Sequence, residues 1–503
     1  MKKCRKLLVL LLSIALLVGT AAVGAGALTN EKHWVGSWSA GMTDISVSLL
    51  EGKKNTEGLS ISPFVKNMTA RIRLTPTLGG NKVRFCLSNE NGSSPLVIDQ
   101  ASICARQRRF RCRDCVREQH PRHVQRQPEG CHPAGGTIYC EPSGYGGARV
   151  GGSVRYRTMS QDFGMVQTMA LYGATTYLAF GNHTEDQKLT GIKLSFGTLV
   201  SVVPLLSGLD VYADADAYSI VVIGDSTTSN DIPKLLAKRI MDETGENKVG
   251  VLQKSIVGNC LLSDGVGPTG SIYGKAMIDR FQKDALDQPG VKYTLVKIGL
   301  NDILHPRCYS MIGLVPEASV EELVAGYQQL IAMAHANGVK IVFAEMSPWK
   351  GYTRDLLKTG QVDLEWTPEA QAMCDQLTQW VRTTDQADGA INLDCLKDPS
   401  DPAKMPDDFT SDGAHLLAPA QEAFVASIDL SLFGIEAPDH PLTTAPSTEG
   451  AIVAPEEPTQ PAVTQEPTDT QSETQAQITA DGTETTPTAQ TQRRRLPIPG
   501  ILL

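Results

Sequence analysis

An alternation of short apolar runs with amphipathic segments, beginning near residue 217, constrains the fold of this chain more than any other feature. The first run, Ser219-Ile220-Val221-Val222-Ile223, is continuously apolar, as is typical of a strand buried on both faces of a parallel sheet. Further strands are expected at 248–252, 293–298, 340–344 and 390–393, separated by helices at 232–244, 319–336 and 368–382 and followed by one after Pro419. This order predicts a three-layer αβα sandwich with a central parallel sheet.

Polar groups fall where such a fold places its ligand site, beyond the carboxyl ends of the strands. Ser226 follows the first strand, Gly258-Asn259 the second and Gly299-Leu300-Asn301-Asp302 the third, while Asp412-Gly413-Ala414-His415 precedes the last helix. Each group alone is more typical of a turn, a loop or a surface pair. Together, in this order, they predict one site.

The chemistry of these groups is that of nucleophilic catalysis. A serine hydroxyl such as Ser226 is a weak nucleophile until a base removes its proton, and His415 can be that base. Asp412 can orient the imidazole and stabilise the imidazolium. The amides of Ser226 and Gly258 and the carboxamide of Asn301 can form an oxyanion hole, and Gly258 has no Cβ to obstruct a substrate oxygen.

With these four groups the chain resembles the GDSL/SGNH hydrolases. The four blocks of that family are matched by Gly224-Asp225-Ser226, Gly258-Asn259, Gly299-Leu300-Asn301-Asp302 and Asp412-Gly413-Ala414-His415. The resemblance implies a flavodoxin-like SGNH fold, with catalysis by Ser226, Asp412 and His415 and an oxyanion hole of Ser226, Gly258 and Asn301. It implies no metal and no cofactor.

Further stretches resemble the secreted bacterial branch linked to arylesterases and polysaccharide acetylesterases. They are His33-Trp34-Val35-Gly36-Ser37-Trp38, Val83–Asn89, Arg280-Phe281 with Pro289-Gly290-Val291, and Ala325-Gly326-Tyr327. The resemblance covers about residues 33–100 and 165–435. It implies a secreted serine esterase that acts on short-chain esters, including acetyl groups on polysaccharide. The alternatives are a lipase or lysophospholipase, and a non-catalytic carbohydrate-binding surface protein.

Two departures from the family pattern concern substrate fit. Thr227 replaces the usual aliphatic residue after the serine, and Ile256-Val257-Gly258-Asn259-Cys260 has fewer glycines than usual. For substrate binding we predict Asp225, Asn259, Asp302 and His305, with a structural or exposed role as the alternative for His305. Trp349 and Tyr352 either line a sugar or aryl pocket or pack ordinarily, and ordinary packing is the preferred interpretation.

The region 28–212 is predicted to be a smaller β-rich accessory domain. The segments Thr69–Leu74 and Asn81–Leu87 alternate with a period near two, and Gly79-Gly80 between them predicts a hairpin turn. An antiparallel arrangement follows from this pattern.

Residues 104–155 interrupt that region with an arginine- and cysteine-rich stretch. Between Cys104 and Arg126 there are eight arginines and no lysine. Cys112 and Cys115 with His120 and His123 suggest a zinc site, but a disulfide-rich loop and a solvated basic insertion are alternatives. A reading-frame slip in the source sequence is the preferred explanation.

The two ends of the chain have different compositions from its body. Residues 1–27 resemble a signal peptide, with a basic start, an apolar run at Leu7–Val18 and a cleavage site after Ala27. Residues 438–503, rich in Thr, Pro and Glu, are predicted to be a disordered tail, which leaves 213–437 as the catalytic domain. The net charge of −9 argues against nucleic acid as a partner. After cleavage no stable membrane insertion is expected, and the sequence does not specify an oligomeric state.

Overall fold

The structure is a computed structural model of the chain. It describes residues 31–44, 66–91, 96–105, 131–132, 137–140, 152–159, 168–171, 174–184, 186, 192–196, 200–266, 270–308, 313–354 and 364–436. The predicted signal peptide, the Cys112–His123 cluster and the predicted tail from residue 438 lie outside these residues.

The N-terminal region is β-rich, as predicted. Its thirteen described strands are β1 (His33–Ser39), β2 (Thr43–Asp44), β3 (Lys66–Leu74), β4 (Val83–Ser88), β5 (Leu96–Ala105), β6 (Cys131–His132), β7 (Thr137–Cys140), β8 (Gly152–Met159), β9 (Thr168–Leu171), β10 (Thr175–Phe180), β11 (Ile192–Phe196), β12 (Val200–Pro204) and β13 (Leu206–Ala213). They form a four-stranded sheet in the order β1-β13-β4-β7 and a nine-stranded sheet in the order β2-β9-β12-β11-β10-β3-β8-β5-β6. All described pairings within these two sheets are antiparallel.

The predicted hairpin between β3 and β4 is wrong. The strand β3 pairs with β10 and β8, whereas β4 pairs with β13 and β7 in the other sheet. The Gly79-Gly80 segment therefore crosses from one sheet to the other. A Cβ on Gly80 would lie 2.7 Å from Cβ of Val211, so this glycine permits a close approach to β13 and does not form a hairpin turn.

The C-terminal region contains the predicted parallel sheet. Its five strands are β14 (Tyr218–Gly224), β15 (Val249–Gln253), β16 (Val291–Lys297), β17 (Lys340–Ala344) and β20 (Gly389–Ile391). They lie in the order β15-β14-β16-β17-β20 with every pairing parallel, while β18 (Thr353–Arg354) and β19 (Leu364–Glu365) form a separate ribbon. Since β14 lies between β15 and β16, the three segments that follow these strands meet at one edge.

Helices connect the parallel strands. They are α1 (Ile232–Thr244), α2 (Gly270–Tyr273), α3 (Met277–Phe281), α4 (Leu300–Leu304), α5 (Val320–Ala336), α6 (Pro368–Thr383) and α7 (Ala418–Ala426), with a π-helical turn at Gln282–Leu286 and 3₁₀ turns at His305–Arg307, Asp394–Leu396 and Leu430–Phe433. The predicted capping box is present at the start of α5, where Ser319 and Glu322 satisfy each other's backbone amides.

Both faces of the parallel sheet are buried. Ile220 and Val222 pack with Leu236 of α1 and Phe424 of α7 in one apolar cluster. The intervening residues of β14, such as Val221, belong to a second cluster that also contains residues of the accessory sheets. The continuous apolar run of β14 follows from this burial on both sides.

The accessory region covers an edge of the parallel sheet. The hydroxyl of Thr77 accepts from the amide of Val251 at 2.9 Å and donates to the carbonyl of Ser37 at 2.6 Å, so it joins β15 to β1. The hydroxyl of Ser39 in β1 donates to the carbonyl of Gln253. The edge strand β15 thus has hydrogen-bond partners on the side that no parallel strand occupies.

We expect Gly250→Ala in β15 to destabilise the protein by about 1–3 kcal/mol, since the close packing of β1 on β15 leaves no space for a methyl group. The new Cβ would lie 2.0 Å from the carbonyl oxygen of Gly36. Urea denaturation measures the change. Gly208→Ala is the control, because its Cβ meets nothing closer than 3.6 Å. Equal stabilities of the two variants would contradict the packing described here.

Candidate active site

Ser226 lies in the turn that follows β14, beside the loop that carries His415. The Nε2 atom of His415 is 2.9 Å from Oγ of Ser226, and its Nδ1 atom is 2.6 Å from Oδ2 of Asp412. An ionised carboxylate only accepts hydrogen bonds, so Nδ1 carries a proton and Nε2 accepts from the serine hydroxyl. The three residues predicted to be catalytic therefore form one hydrogen-bonded chain.

The carboxylate of Asp412 is fixed by its own loop. Its Oδ1 atom accepts from the backbone amides of Ala414 at 3.0 Å and His415 at 2.9 Å. Partial burial by itself would raise the pKa of Asp412, but the hydrogen bonds from His415 and from these amides hold that pKa well below its ordinary value. Asp412 thus remains a carboxylate and orients the imidazole.

Gly413 brings this loop against the segment that follows β17. Its φ of +93° is in the left-handed region, and a Cβ there would lie 2.5 Å from the backbone nitrogen of Tyr352. The ring of Tyr352 lies edge-on to the ring of His415, with 5.9 Å between their centroids. Tyr352 therefore contacts the site, whereas Trp349 is buried and packs against Trp366, in line with the interpretation as ordinary packing.

The predicted oxyanion residues lie in the two neighbouring loops. The Nδ2 atom of Asn301 donates to the backbone carbonyl of Asn259 at 3.0 Å, which leaves the second hydrogen of that carboxamide available for another acceptor. Gly258 has a φ of +67°, and a Cβ at this position would lie 2.2 Å from Cδ1 of Tyr273. Glycine is required here by the backbone conformation and by the tyrosine ring, in addition to any approach of substrate.

Arg280 of α3 links these loops to the nucleophile strand. Its guanidinium donates to Oδ1 of Asn259 through Nε at 3.0 Å and Nη2 at 2.8 Å, and Nη2 also reaches the carbonyl of Gly224 at 3.3 Å. Its Nη1 atom donates to the carbonyl of Lys254 and forms an ion pair with Asp284. Nothing in the sequence assigns this role to Arg280, although Arg280-Phe281 is part of the resemblance.

The structure buries the four predicted substrate-binding residues. The side chains of Asp225, Asn259, Asp302 and His305 are all exposed by 2% or less. Each of them makes at least one side-chain hydrogen bond within the protein. Asn259 donates to the carbonyls of Tyr273 and Lys275, and His305 stacks on Tyr273 with Nδ1 3.4 Å from Sγ of Cys260. For His305 these contacts favour the structural alternative, while substrate binding by the four residues stays a prediction.

Asp302 supports the loop after Gly258 through its carboxyl group. Its two oxygens accept from the amides of Leu261 at 2.7 Å and Leu262 at 2.9 Å. Burial raises the pKa of Asp302 to about 7, against the opposing effect of these two amides, and the nearby Asp225 adds to the rise. The carboxyl group thus acts as a clamp on the oxyanion loop.

Two further properties of the described residues bear on function. They contain no group of three or more His, Cys, Asp and Glu side chains arranged to hold a metal ion. Among the helices described, none is both long enough and apolar enough to cross a membrane.

A serine, a histidine and an aspartate in one hydrogen-bonded chain, at the carboxyl edge of a parallel α/β sheet, define a serine hydrolase site. Residues 222–423 match the model of the GDSL-like Lipase/Acylhydrolase family. This part of the chain is a domain of that family, and the protein is a carboxylic ester hydrolase. No curated protein sequence matches the chain.

Several solved structures are similar to this chain at low sequence identity. A GDSL-like lipase from Bacteroides thetaiotaomicron VPI-5482 is 12% identical, covering 43% of this chain and 88% of that one, with a TM-score of 0.31. A variant of an acetyl xylan esterase from Geobacillus stearothermophilus is 14% identical, covering 44% and 95%, with a TM-score of 0.33. The family match and the geometry of the site carry the assignment, and these distant structures add nothing to it.

We expect Gly258→Ala to reduce kcat for ester hydrolysis by about 10²-fold or more, because the loop must move away from Tyr273 and take its amide with it. Steady-state kinetics on a soluble aryl ester measure the effect. Gly245→Ala is the control. It has a similar φ of +68° but nothing within 4 Å of its Cβ, so it tests backbone strain alone. A similar kcat for both variants would contradict the role of Tyr273.

The raised pKa of Asp302 predicts a pH-dependent stability. The pKa of aspartate in an unfolded chain is about 4. Between about pH 4 and about pH 7 the folded protein therefore keeps a proton that the unfolded chain has released. This contribution to the free energy of unfolding is complete below about pH 4 and is lost as the pH rises through 7.

The test compares wild type with Asp302→Asn by urea denaturation from pH 4 to 8. Relative to the variant, the stability of wild type should fall with pH by up to about 1.4 kcal/mol per unit. Asp385→Asn, on an exposed turn after α6, should follow wild type. Parallel curves for wild type and Asp302→Asn would show that Asp302 does not titrate in this range.

Proposed function

We propose that this protein is a secreted serine esterase that removes short acyl groups, including acetyl groups on polysaccharide, through an acyl-enzyme. The observation that carries the catalytic part of the proposal is the 2.9 Å contact between Nε2 of His415 and Oγ of Ser226. The hydrogen bond from Nδ1 of His415 to Asp412 leaves Nε2 as the proton acceptor, which is the arrangement that activates a serine.

The reaction proceeds in two halves. Ser226 attacks the ester carbonyl while His415 takes its proton, and the negative charge on the carbonyl oxygen is stabilised by the amides of Ser226 and Gly258 and by the carboxamide of Asn301. His415 then protonates the leaving alcohol as the acyl–oxygen bond breaks. Water, deprotonated by the same imidazole, attacks the acyl-enzyme and releases the acid and the free serine.

The choice of substrate and location rests on the sequence. The N-terminal segment 1–27 has the features of a signal peptide, which supports export. The stretches His33–Trp38 and Arg280-Phe281 resemble the branch of arylesterases and polysaccharide acetylesterases. Tyr352, edge-on to His415, is the aromatic side chain best placed to border the alcohol part of a substrate.

We expect purified protein to hydrolyse p-nitrophenyl acetate and to release acetate from acetylated xylan, with activity that declines as the acyl chain lengthens. Ser226→Ala should lower kcat by at least about 10⁴-fold while preserving the thermal unfolding transition. A preference for long acyl chains would favour the lipase alternative. If wild type is as inert as Ser226→Ala and both proteins still bind glycan, the result would favour the carbohydrate-binding alternative over the esterase.

A further inference from the structure

A lysine lies buried beside the nucleophile turn. Lys297 ends β16, and in the parallel pairing of β14 with β16 it is the partner of Gly224, two residues before Ser226. Its side chain is 1% exposed. A buried ammonium is costly unless an acceptor or an opposite charge compensates it, so its contacts indicate what it does.

Thr227 provides the acceptor. The Nζ atom of Lys297 donates to Oγ1 of Thr227 at 2.6 Å, and this is its one hydrogen bond to the described residues. The same hydroxyl is 2.7 Å from Oδ1 of Asp225, which also accepts from the backbone amide of Thr227 at 2.8 Å. A hydroxyl has one hydrogen, so it accepts from the lysine and donates to the carboxylate. The direction of each bond is thereby fixed.

The two charges depend on this hydroxyl. Oδ2 of Asp225 is buried and has no hydrogen-bond partner among the described residues. The charges of Lys297 and Asp225 act on each other across the hydroxyl of Thr227. Burial lowers the pKa of Lys297 and the charge of Asp225 opposes that fall. The hydroxyl of Thr227, rather than a direct ion pair, links the ammonium to the carboxylate.

The residues of this chain of bonds flank the nucleophile. Asp225 precedes Ser226 and Thr227 follows it, so the bonds fix the backbone on both sides of the attacking oxygen. Thr227 also stands where the family usually has an aliphatic residue. Its hydroxyl, which an aliphatic side chain would lack, is the acceptor for Lys297. We propose that Lys297 is a positioning residue for Ser226, acting through Thr227 and Asp225 to aim the serine hydroxyl at His415.

The proposal rests on the serine esterase function and deepens it, and a double-mutant cycle tests it. Thr227→Val removes the hydroxyl at constant shape, so the ammonium loses its acceptor and the carboxylate loses one of its two donors. Lys297→Met removes the charge and leaves the bond from Thr227 to Asp225. The double variant replaces the polar contact by an apolar one. We expect each single variant to lower kcat by about tenfold or more and the double variant to fall no further than Thr227→Val, because Lys297 acts only through this hydroxyl, with KM little changed.

A second measurement separates positioning from folding. A p-nitrophenyl alkylphosphonate reacts with Ser226: the Oγ–P bond forms, the P–O bond to p-nitrophenolate breaks, and the serine proton passes to His415. The released p-nitrophenolate counts the active molecules, and its rate reports the reactivity of Ser226. We expect this rate, per active molecule, to fall in parallel with kcat across the cycle.

Lys254→Met serves as the matched control. Lys254 is also a buried lysine, but its Nζ atom lies 3.4 Å from the carbonyls of Ala40 and Ser207 and does not contact Thr227. When Lys254→Met is combined with Thr227→Val, the two fold reductions in kcat should multiply, because the two residues are not coupled.

The possible results distinguish the two claims. Multiplicative effects of Thr227→Val and Lys297→Met, or an unchanged phosphonylation rate per active molecule, would overturn the positioning role while leaving the esterase intact. Wild type that neither hydrolyses esters nor reacts with the phosphonate would overturn both.

Discussion

The buried guanidinium of Arg280 is the contact on which the geometry of this site most depends. It reaches the carbonyl of Gly224 at the end of the nucleophile strand and the side chain of Asn259 in the oxyanion loop. Because Asn259 in turn accepts from Asn301 through its carbonyl, one side chain connects the segments after three adjacent strands. The ion pair with Asp284 compensates the buried charge, and the planar fork of arginine suits several acceptors at fixed angles.

The two halves of the site, the nucleophile with the oxyanion residues and the loop of Asp412 and His415, differ in how rigidly the fold supports them. Ser226 and the oxyanion residues follow strands of the parallel sheet and are held by Arg280, Asp302 and the sheet itself. The Asp412–His415 loop has no strand beneath it and depends on its internal amide bonds and on the close contact of Gly413 with Tyr352. The distance between imidazole and hydroxyl is therefore set by packing between two loops, and substitutions around Tyr352 act on the base rather than on the nucleophile.

The sequence predicted the parallel sheet because burial on both faces leaves a continuous apolar run, as in β14, and the capping box of α5 because its signal is local. It failed where the outcome depends on contacts remote in sequence. Gly79-Gly80 is typical of a hairpin, yet β3 and β4 pair in different sheets. Nor does the sequence show that Asp302 and Asn259 are buried, since a polar residue beside a catalytic one has the same pattern whether it faces the pocket or the protein. Lys297 lies within the strand predicted at 293–298, and nothing local indicates that its partner is Thr227.

The accessory region covers the edge strand β15, and this limits where the chain can be cut into fragments. The hydroxyls of Thr77 and Ser39 hydrogen-bond to an edge strand that carries no other strand on that side, and apolar residues of the accessory sheets share a cluster with Val221 and Leu252. A fragment that started at residue 213 would expose both the unpaired backbone of β15 and this apolar surface to water, which is the combination that promotes edge-to-edge self-association. The hydrolase region thus depends on the accessory sheets to cover this edge, and we expect a chain cut at that boundary to self-associate rather than to give a minimal enzyme.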